Sequence, residues 1–77
     1  IDKKFYLDQH MISSCLYIDK FYILTSSNIH ILNLRTKKMR EIDISQFIQN
    51  QTVTSISIFK YDKILIGTQK GEIYMIN

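Results

Sequence analysis

The stretch ILIGTQKGEIYMIN, residues 64–77, decides the fold class of this chain. Two apolar runs, 64–66 and 73–76, flank the polar segment Thr68-Gln69-Lys70-Gly71. β-Branched and aromatic residues on both arms, with glycine at the tip where positive φ is needed, predict a β-hairpin. A shortened version stands earlier, ILTSSNIHILN at residues 23–33.

Composition agrees with that reading. Ile, Val, Thr, Tyr and Phe supply 30 of the 77 residues, while Ala, Pro and Trp do not occur. Residues branched at Cβ lose χ1 freedom in helices and fit a pleated surface, so the expectation is an all-β protein. A chain this short buries only about 60% of its unfolded surface on folding. It also begins at Ile1, and we expect it to be a piece of something longer. The net charge of +3 comes from Lys and Arg scattered along the chain. That pattern favours solubility over a nucleic-acid face, where charge clusters more strongly. A lone Cys15 excludes an internal disulfide and a zinc site built of cysteines alone. With Leu16 and Tyr17 beside it, it reads as a small buried hydrophobe in a reducing, intracellular compartment. No apolar run reaches the ~18 to 20 residues that span a membrane, and no signal or transit segment is visible.

Taken in order, residues 2–8 (DKKFYLD) predict a strand, followed by a short connection at 9–11. Residues 12–18 predict a second strand, with Ile12, Cys15 and Tyr17 inward; the spacing between Ile12 and Cys15 requires a bulge. A turn at Asp19-Lys20 precedes a hairpin whose arms, 22–25 and 29–34, flank Ser26-Ser27-Asn28. Arg35-Thr36-Lys37-Lys38 reads as a turn and 39–44 as a strand. The connection 45–51 is expected to hold one helical turn, capped by Ser45, with Phe47 and Ile48 inward. Residues 52–59 form the next strand, Thr54, Ile56 and Ile58 on one face and Val53, Ser55 and Ser57 on the other. Tyr61-Asp62-Lys63 turns the chain into the hairpin at 64–77.

The chain repeats itself. At an offset of 41, Ile12 falls on Val53, Cys15 on Ile56, Tyr17 on Ile58, Ile23 on Ile64 and Leu24 on Leu65. Beyond the hairpin tip the offset becomes 44, placing Ile29 on Ile73, Ile31 on Met75 and Asn33 on Asn77. The strands before also match, Lys3-Lys4-Phe5 on Lys37-Lys38-Met39. Four short strands in a period in the low forties is the spacing of a β-propeller blade.

The patterns VTSISIF at 53–59 and KILIGTQKGEIYMIN at 63–77 resemble a divergent WD repeat, with the earlier unit a weaker copy. Leu32-Asn33 and Ile76-Asn77 stand where that family carries its Trp-Asp pair. The G-T-x-x-G-x-I-Y pattern is also similar to blades of quinoprotein-like propellers. The expected architecture is a propeller fragment of about two four-stranded antiparallel blades. Residues 2–8 would be the last strand of a preceding blade, 12–44 a full blade, and 52–77 the first three strands of the next. The resemblance implies a non-catalytic scaffold for proteins of a multiprotein complex, with the remaining blades as further partners. The alternatives are an enzymatic propeller whose active residues lie elsewhere, or a small closed β-barrel that binds nucleic acid.

Catalytic chemistry finds no support in the residues. His10 and Cys15 lack a group to orient the imidazole, and His30 is expected to be exposed or half-buried on a strand. The carboxylates show no Asp-x-Asp spacing for a hard cation. Gly67 and Gly71 lack the length and the helix of a phosphate loop. No cofactor or metal ligand is therefore assigned. Arg35, Lys37, Lys38 and Arg40 form the one compact basic group, a candidate docking patch for an acidic partner or for nucleic-acid phosphates. Aromatic residues suited to base stacking are absent from residues 35–46. The loop 45–52 and the tips at 26–28 and 68–71, with Gln69 and Lys70, complete the candidate contact regions.

Overall fold

The computed structural model describes residue 1, residues 3–60 and residues 63–77. The chain forms two antiparallel meanders joined by one helical turn. β1 (Ser13–Tyr17), β2 (Lys20–Leu24), β3 (Asn28–Asn33) and β4 (Lys38–Asp43) make a four-stranded sheet in that order. After α1 (Ser45–Ile48), β5 (Val53–Lys60), β6 (Lys63–Thr68) and β7 (Ile73–Ile76) make a three-stranded sheet in the same order. The class is all-β. Among the described residues neither sheet closes on itself, so the alternative of a small barrel is not the fold seen.

The register shows how the sheets meet. Cys15, Tyr22 and Ile31 stand side by side in the first sheet, as do Ser14, Ile23 and His30 on its opposite face. The first set, together with Leu24 and Ile29, joins the core; Ile23, His30 and Leu32 are buried outside it. From the second sheet Ile56, Ile64, Ile66 and Ile76 enter that core, and Ile44, Ile48 and Val53 close it at one end. Ser57, Leu65 and Met75, a row on the other face of the second sheet, point away.

The hairpin tips define which residues are equivalent. Thr25 N–H donates to the Asn28 carbonyl (2.9 Å), and Asn28 N–H donates back to Thr25 Oγ1 (3.1 Å). Thr68 and Glu72 make the same two bonds, at 3.0 and 3.2 Å. Thr25 therefore matches Thr68 at an offset of 43, and Asn28 matches Glu72 at 44. The strand pairings then place Cys15 on Ser57, Tyr22 on Leu65 and Ile31 on Met75. This corrects the offset of 41, which put Cys15 on Ile56, Ile23 on Ile64 and Leu24 on Leu65. It also carries a packing result. The face of the first sheet that meets the second (here the front) is equivalent to the open face of the second. The sheets pack front to back, not as two like faces of a sandwich.

Several local expectations shift. Residues 3–8 form no strand; Tyr6, Leu7 and Asp8 instead border a depression beside His30, Met39 and Glu41 on the back of the first sheet. That back face is apolar, so an alternating apolar segment gains more by covering it than by standing free in water. Asp2 lies outside the described residues. Ile12 and Ser13 both meet Leu24, Ile12 by donating its N–H to the Leu24 carbonyl (2.8 Å), the two-against-one step of a bulge, but Ile12 is exposed and not inward. In the second unit a register shift lies between Val53 and Ser55, where it turns both Val53 and Ile56 inward despite their spacing. The expected alternation of Val53 against Ile56 is broken by that extra residue.

The first tight turn is Ile18-Asp19, one residue earlier than expected, because Tyr17 pairs with Lys20. It holds Ile18 at φ 56°, which a β-branched residue adopts at a cost. The turn after β3 is likewise one residue early, at 34–37, and Lys38 is already in β4. The turn expected at Tyr61-Asp62-Lys63 has its first two residues outside the described ones; Lys63 begins β6 and pairs with Lys60. In α1, Ile48 is buried as expected, but Phe47 is 51% exposed and Ser45 is not the cap. Four residues are too few to bury two adjacent side chains on one side. Gly71 sits at φ 88° in the last hairpin tip, as its turn requires. A Cβ on Gly67 would lie 2.5 Å from Ser55 Oγ, the end of a rotatable side chain, and otherwise meet atoms only at ordinary contact distance, so a small residue here would require the Ser55 hydroxyl to turn away.

Candidate functional site

An antiparallel meander puts alternate turns at opposite ends. The β2–β3 tip, the connection 44–52 and the β6–β7 tip therefore share one end. Backbone bonds join them: Ile44 N–H donates to the Ser27 carbonyl (2.9 Å) and Gln69 N–H to the Thr52 carbonyl (2.8 Å). The turns at 18–19 and 34–37 occupy the other end. The six candidate contact residues are thus divided, with Gln69 and Lys70 at one end and the basic group at the other.

The basic end is built on Asn33. Its Oδ1 accepts the N–H groups of Arg35 (2.9 Å) and Thr36 (3.1 Å), and its carbonyl accepts Lys37 N–H (2.8 Å). The turn is thereby closed by the side chain of the strand that enters it. Asp19 Oδ2 pairs with Arg35 Nε at 3.0 Å, and Asp19 Oδ1 with Lys20 Nζ at 3.4 Å. Lys37 Nζ donates to the Leu34 carbonyl (3.0 Å). Lys38 and Arg40 alternate along β4 on the face that carries Ile31 and Lys20. These residues, with Asn33 and Thr36, line an open depression of about 450 Å³. Lys20 was not in the sequence-derived group; cross-strand register with Asn33 and Lys38 brings it there. Among the described residues, Lys38 and Arg40 form no ion pair, so their charges face the solvent.

The opposite end is polar, with Asp43, Lys70 and Glu72 as its exposed charges. Ser26, Ser27, Ser45, Asn50 and Gln51 line a shallow recess of about 240 Å³ with Ile48 at its floor. Gln51 Nε2 donates to Tyr74 Oη (3.0 Å), and Tyr74 Oη donates to Glu72 Oε2 (3.2 Å). Burial, followed by the neighbouring Glu72 carboxylate, holds the Tyr74 hydroxyl above its ordinary range. Gln9, which no local signal in the sequence marks, reaches this end as well. Its Oε1 accepts Thr25 Oγ1–H (2.6 Å) and Asn28 Nδ2–H (3.3 Å), tying the N-terminal segment to the β2–β3 tip.

Asp43 organises the start of the connection. Its Oδ1 accepts both the Ser45 N–H (2.9 Å) and the Ser45 hydroxyl (2.7 Å), which holds its carboxyl below the usual value of 3.8. A carboxylate with a depressed folded-state pKa stabilises above its unfolded value and loses that contribution as pH falls through the folded one. The urea midpoint of the wild type should therefore drop between about pH 5 and pH 2 more steeply than that of Asp43→Asn. Parallel pH curves for the two proteins would refute this role of Asp43.

His30 is 4% exposed, which corrects the expectation of a half-exposed strand residue. The N-terminal segment borders the back face on which it lies, so opposite phase to Ile29 and Ile31 did not mean solvent. Its Nδ1 lies 3.6 Å from Glu41 Oε2, and among the described residues Nε2 meets no hydrogen-bond partner. Cys15 is half-buried beside the core, and burial pushes its thiol upward, away from the thiolate a nucleophile requires. His10 is exposed. No group of three His, Cys, Asp or Glu among the described residues is placed to hold a metal ion. No described helix is long and apolar enough to cross a membrane. Comparisons with protein-family models, curated protein sequences and solved structures find no match to this chain.

Proposed function

We propose that the chain is two consecutive blades of a larger β-propeller, most like a divergent WD-repeat protein, that acts as a non-catalytic scaffold for protein partners in an intracellular complex. The observation that carries the architecture is the front-to-back packing of two meanders with equivalent tips. Blades around a ring must each present a front to the next blade's back, whereas a sandwich opposes two inner faces. The first strands β1 and β5, at the inner edges, also run close together. The second sheet has three strands where the first has four, and its front is open. Each is a place for further blades.

The scaffold role rests on the resemblance and on the surfaces that the fold presents. The basic end offers Lys38 and Arg40 beside a depression and Lys37 on the adjoining turn, with Arg35 and Lys20 partly neutralised by Asp19. This suits an acidic protein surface. Gln69 and Lys70 would meet partners at the other end. In affinity purification of the parent protein with quantitative mass spectrometry, changing Arg35, Lys37, Lys38 and Arg40 to glutamine should lower recovery of a defined partner set at least tenfold. The strand signal in circular dichroism should stay unchanged. Unchanged recovery would remove the docking assignment. Loss of bound RNA in place of protein would favour the nucleic-acid alternative.

A further inference from the structure

We infer that the depression between Lys20, Lys38 and Arg40 binds a phosphorylated serine or threonine side chain of a partner protein. The inference deepens the scaffold reading and rests on it, since it names what the basic end recognises.

The polar lining is made of donors. Lys20, Asn33, Thr36, Lys38 and Arg40 stand around the depression, with Ile31 and Met39 as its apolar part, and no carboxylate is among them. The cross-strand row Lys20, Asn33, Lys38 sets the two lysines about 10 Å apart at Cα. Arg40 follows Lys38 on the same face of β4 at about 7 Å. Three cations so placed enclose one small anion. Asn33 is fixed as a donor: its Oδ1 is taken by the N–H groups of Arg35 (2.9 Å) and Thr36 (3.1 Å), and its remaining polar group, Nδ2, donates. The Thr36 hydroxyl, exposed on the same turn, donates as well. Burial raises the Tyr22 hydroxyl above its ordinary range, while Lys20 and Arg40 both draw it down. Charges from β2 and β4 thus already act together on one group of this face.

The number of donors selects the anion. A carboxylate brings two oxygens and a single charge. A phosphomonoester brings three acceptor oxygens and a charge of about −1.5 to −2 at neutral pH, and so meets three cations and two further donors more fully. The Arg40 guanidinium can hold two of those oxygens at once. Ile31 and Met39 suit the carbon atoms that join the phosphate to the partner's backbone. A nucleic-acid strand fits less well. No aromatic ring lines the depression for a base to stack on, and the charge is gathered in one place instead of tracking a backbone. An apolar strand laid over Lys38 and Arg40 would bury charge without a counter-ion, so an anion completes them and a further apolar face does not. The lining residues all lie within 20–40, on β2, β3, β4 and the turn between the last two.

The test presents the parent protein to peptide arrays with random flanks and a central phosphoserine, phosphothreonine, glutamate or serine. Retention on the phosphorylated arrays should exceed that on glutamate at least tenfold. Lys38→Gln/Arg40→Gln should abolish this preference with the strand signal in circular dichroism unchanged, because both residues are exposed. Inorganic phosphate should compete at least tenfold more weakly than the best phosphopeptide. Equal competition would make the site one for free phosphate and overturn the partner assignment. A preference that survives Lys38→Gln/Arg40→Gln places the phosphate elsewhere and overturns the inference. Equal retention on glutamate overturns it too, and leaves a scaffold for acidic surfaces standing. The same holds if no array is bound while the glutamine variant of Arg35, Lys37, Lys38 and Arg40 still loses its partners. If no array is bound and that variant keeps its partners, the docking assignment falls as well. Tighter binding to oligouridine than to any phosphopeptide, with a steep salt dependence, overturns the inference in favour of nucleic acid.

Discussion

Replacing Ile66 by alanine is expected to cost about 3 to 4 kcal/mol, whereas Leu65→Ala should cost about 1 kcal/mol. The two residues are adjacent in β6 and similar in chemistry. Ile66 is 0% exposed, pairs with Ile56 and Tyr74, and sits in the core between the sheets. Leu65 pairs with Ser57 and Met75 on the open front and is only half-buried. Removing buried branched carbons loses their transfer energy and leaves a cavity that strands pinned on both sides cannot fill. Proteins carry roughly 0.05 to 0.15 kcal/mol of stability per residue, so a loss of this size takes a large share of what so short a chain has. Urea unfolding followed by circular dichroism, at concentrations below any self-association, measures both substitutions. Equal costs at 65 and 66 would contradict the front-to-back arrangement.

The contrast between neighbouring positions also shows what could be read from residues alone. Alternation along 73–76 assigns Tyr74 and Ile76 to one side and Ile73 and Met75 to the other, and the structure keeps that division. The succession of short strands was equally visible, because β-branched runs and polar tips leave a strong period-2 signal. Register was not. A bulge is announced by apolar residues three apart, and that spacing occurs at both Ile12–Cys15 and Val53–Ile56. Nothing local shows that only the second pair turns inward. An offset chosen to superpose Ile on Ile and Leu on Leu is satisfied by several alignments in a chain so rich in isoleucine. Hydrogen bonds at the tips, which involve Thr25 and Thr68, discriminate between them. Burial of His30 escaped for a related reason. Phase says which face a residue occupies, but not that a segment more than twenty residues earlier borders that face. The basic group was legible as a cluster in sequence, yet Lys20 joins it only through cross-strand pairing. Gln69 and Lys70 prove to lie at the far end.

Thr25→Val is expected to cost about 2 to 3 kcal/mol and Thr68→Val about 1 kcal/mol, although both remove the same hydroxyl from equivalent tips. Each threonine oxygen accepts one backbone N–H, that of Asn28 or Glu72, and a valine of the same shape leaves that N–H without its acceptor. Thr25 is fully buried and its hydroxyl also donates to Gln9 Oε1, which without it keeps only the longer bond from Asn28 Nδ2 (3.3 Å). A buried partner left unpaired costs about 1 to 3 kcal/mol, more than the bond itself contributes on balance. In a Gln9→Ala background the cost of Thr25→Val should therefore fall to about that of Thr68→Val, a coupling of roughly 1 to 2 kcal/mol in a double-mutant cycle. Additive effects of Gln9→Ala and Thr25→Val would show that the contact carries no energy.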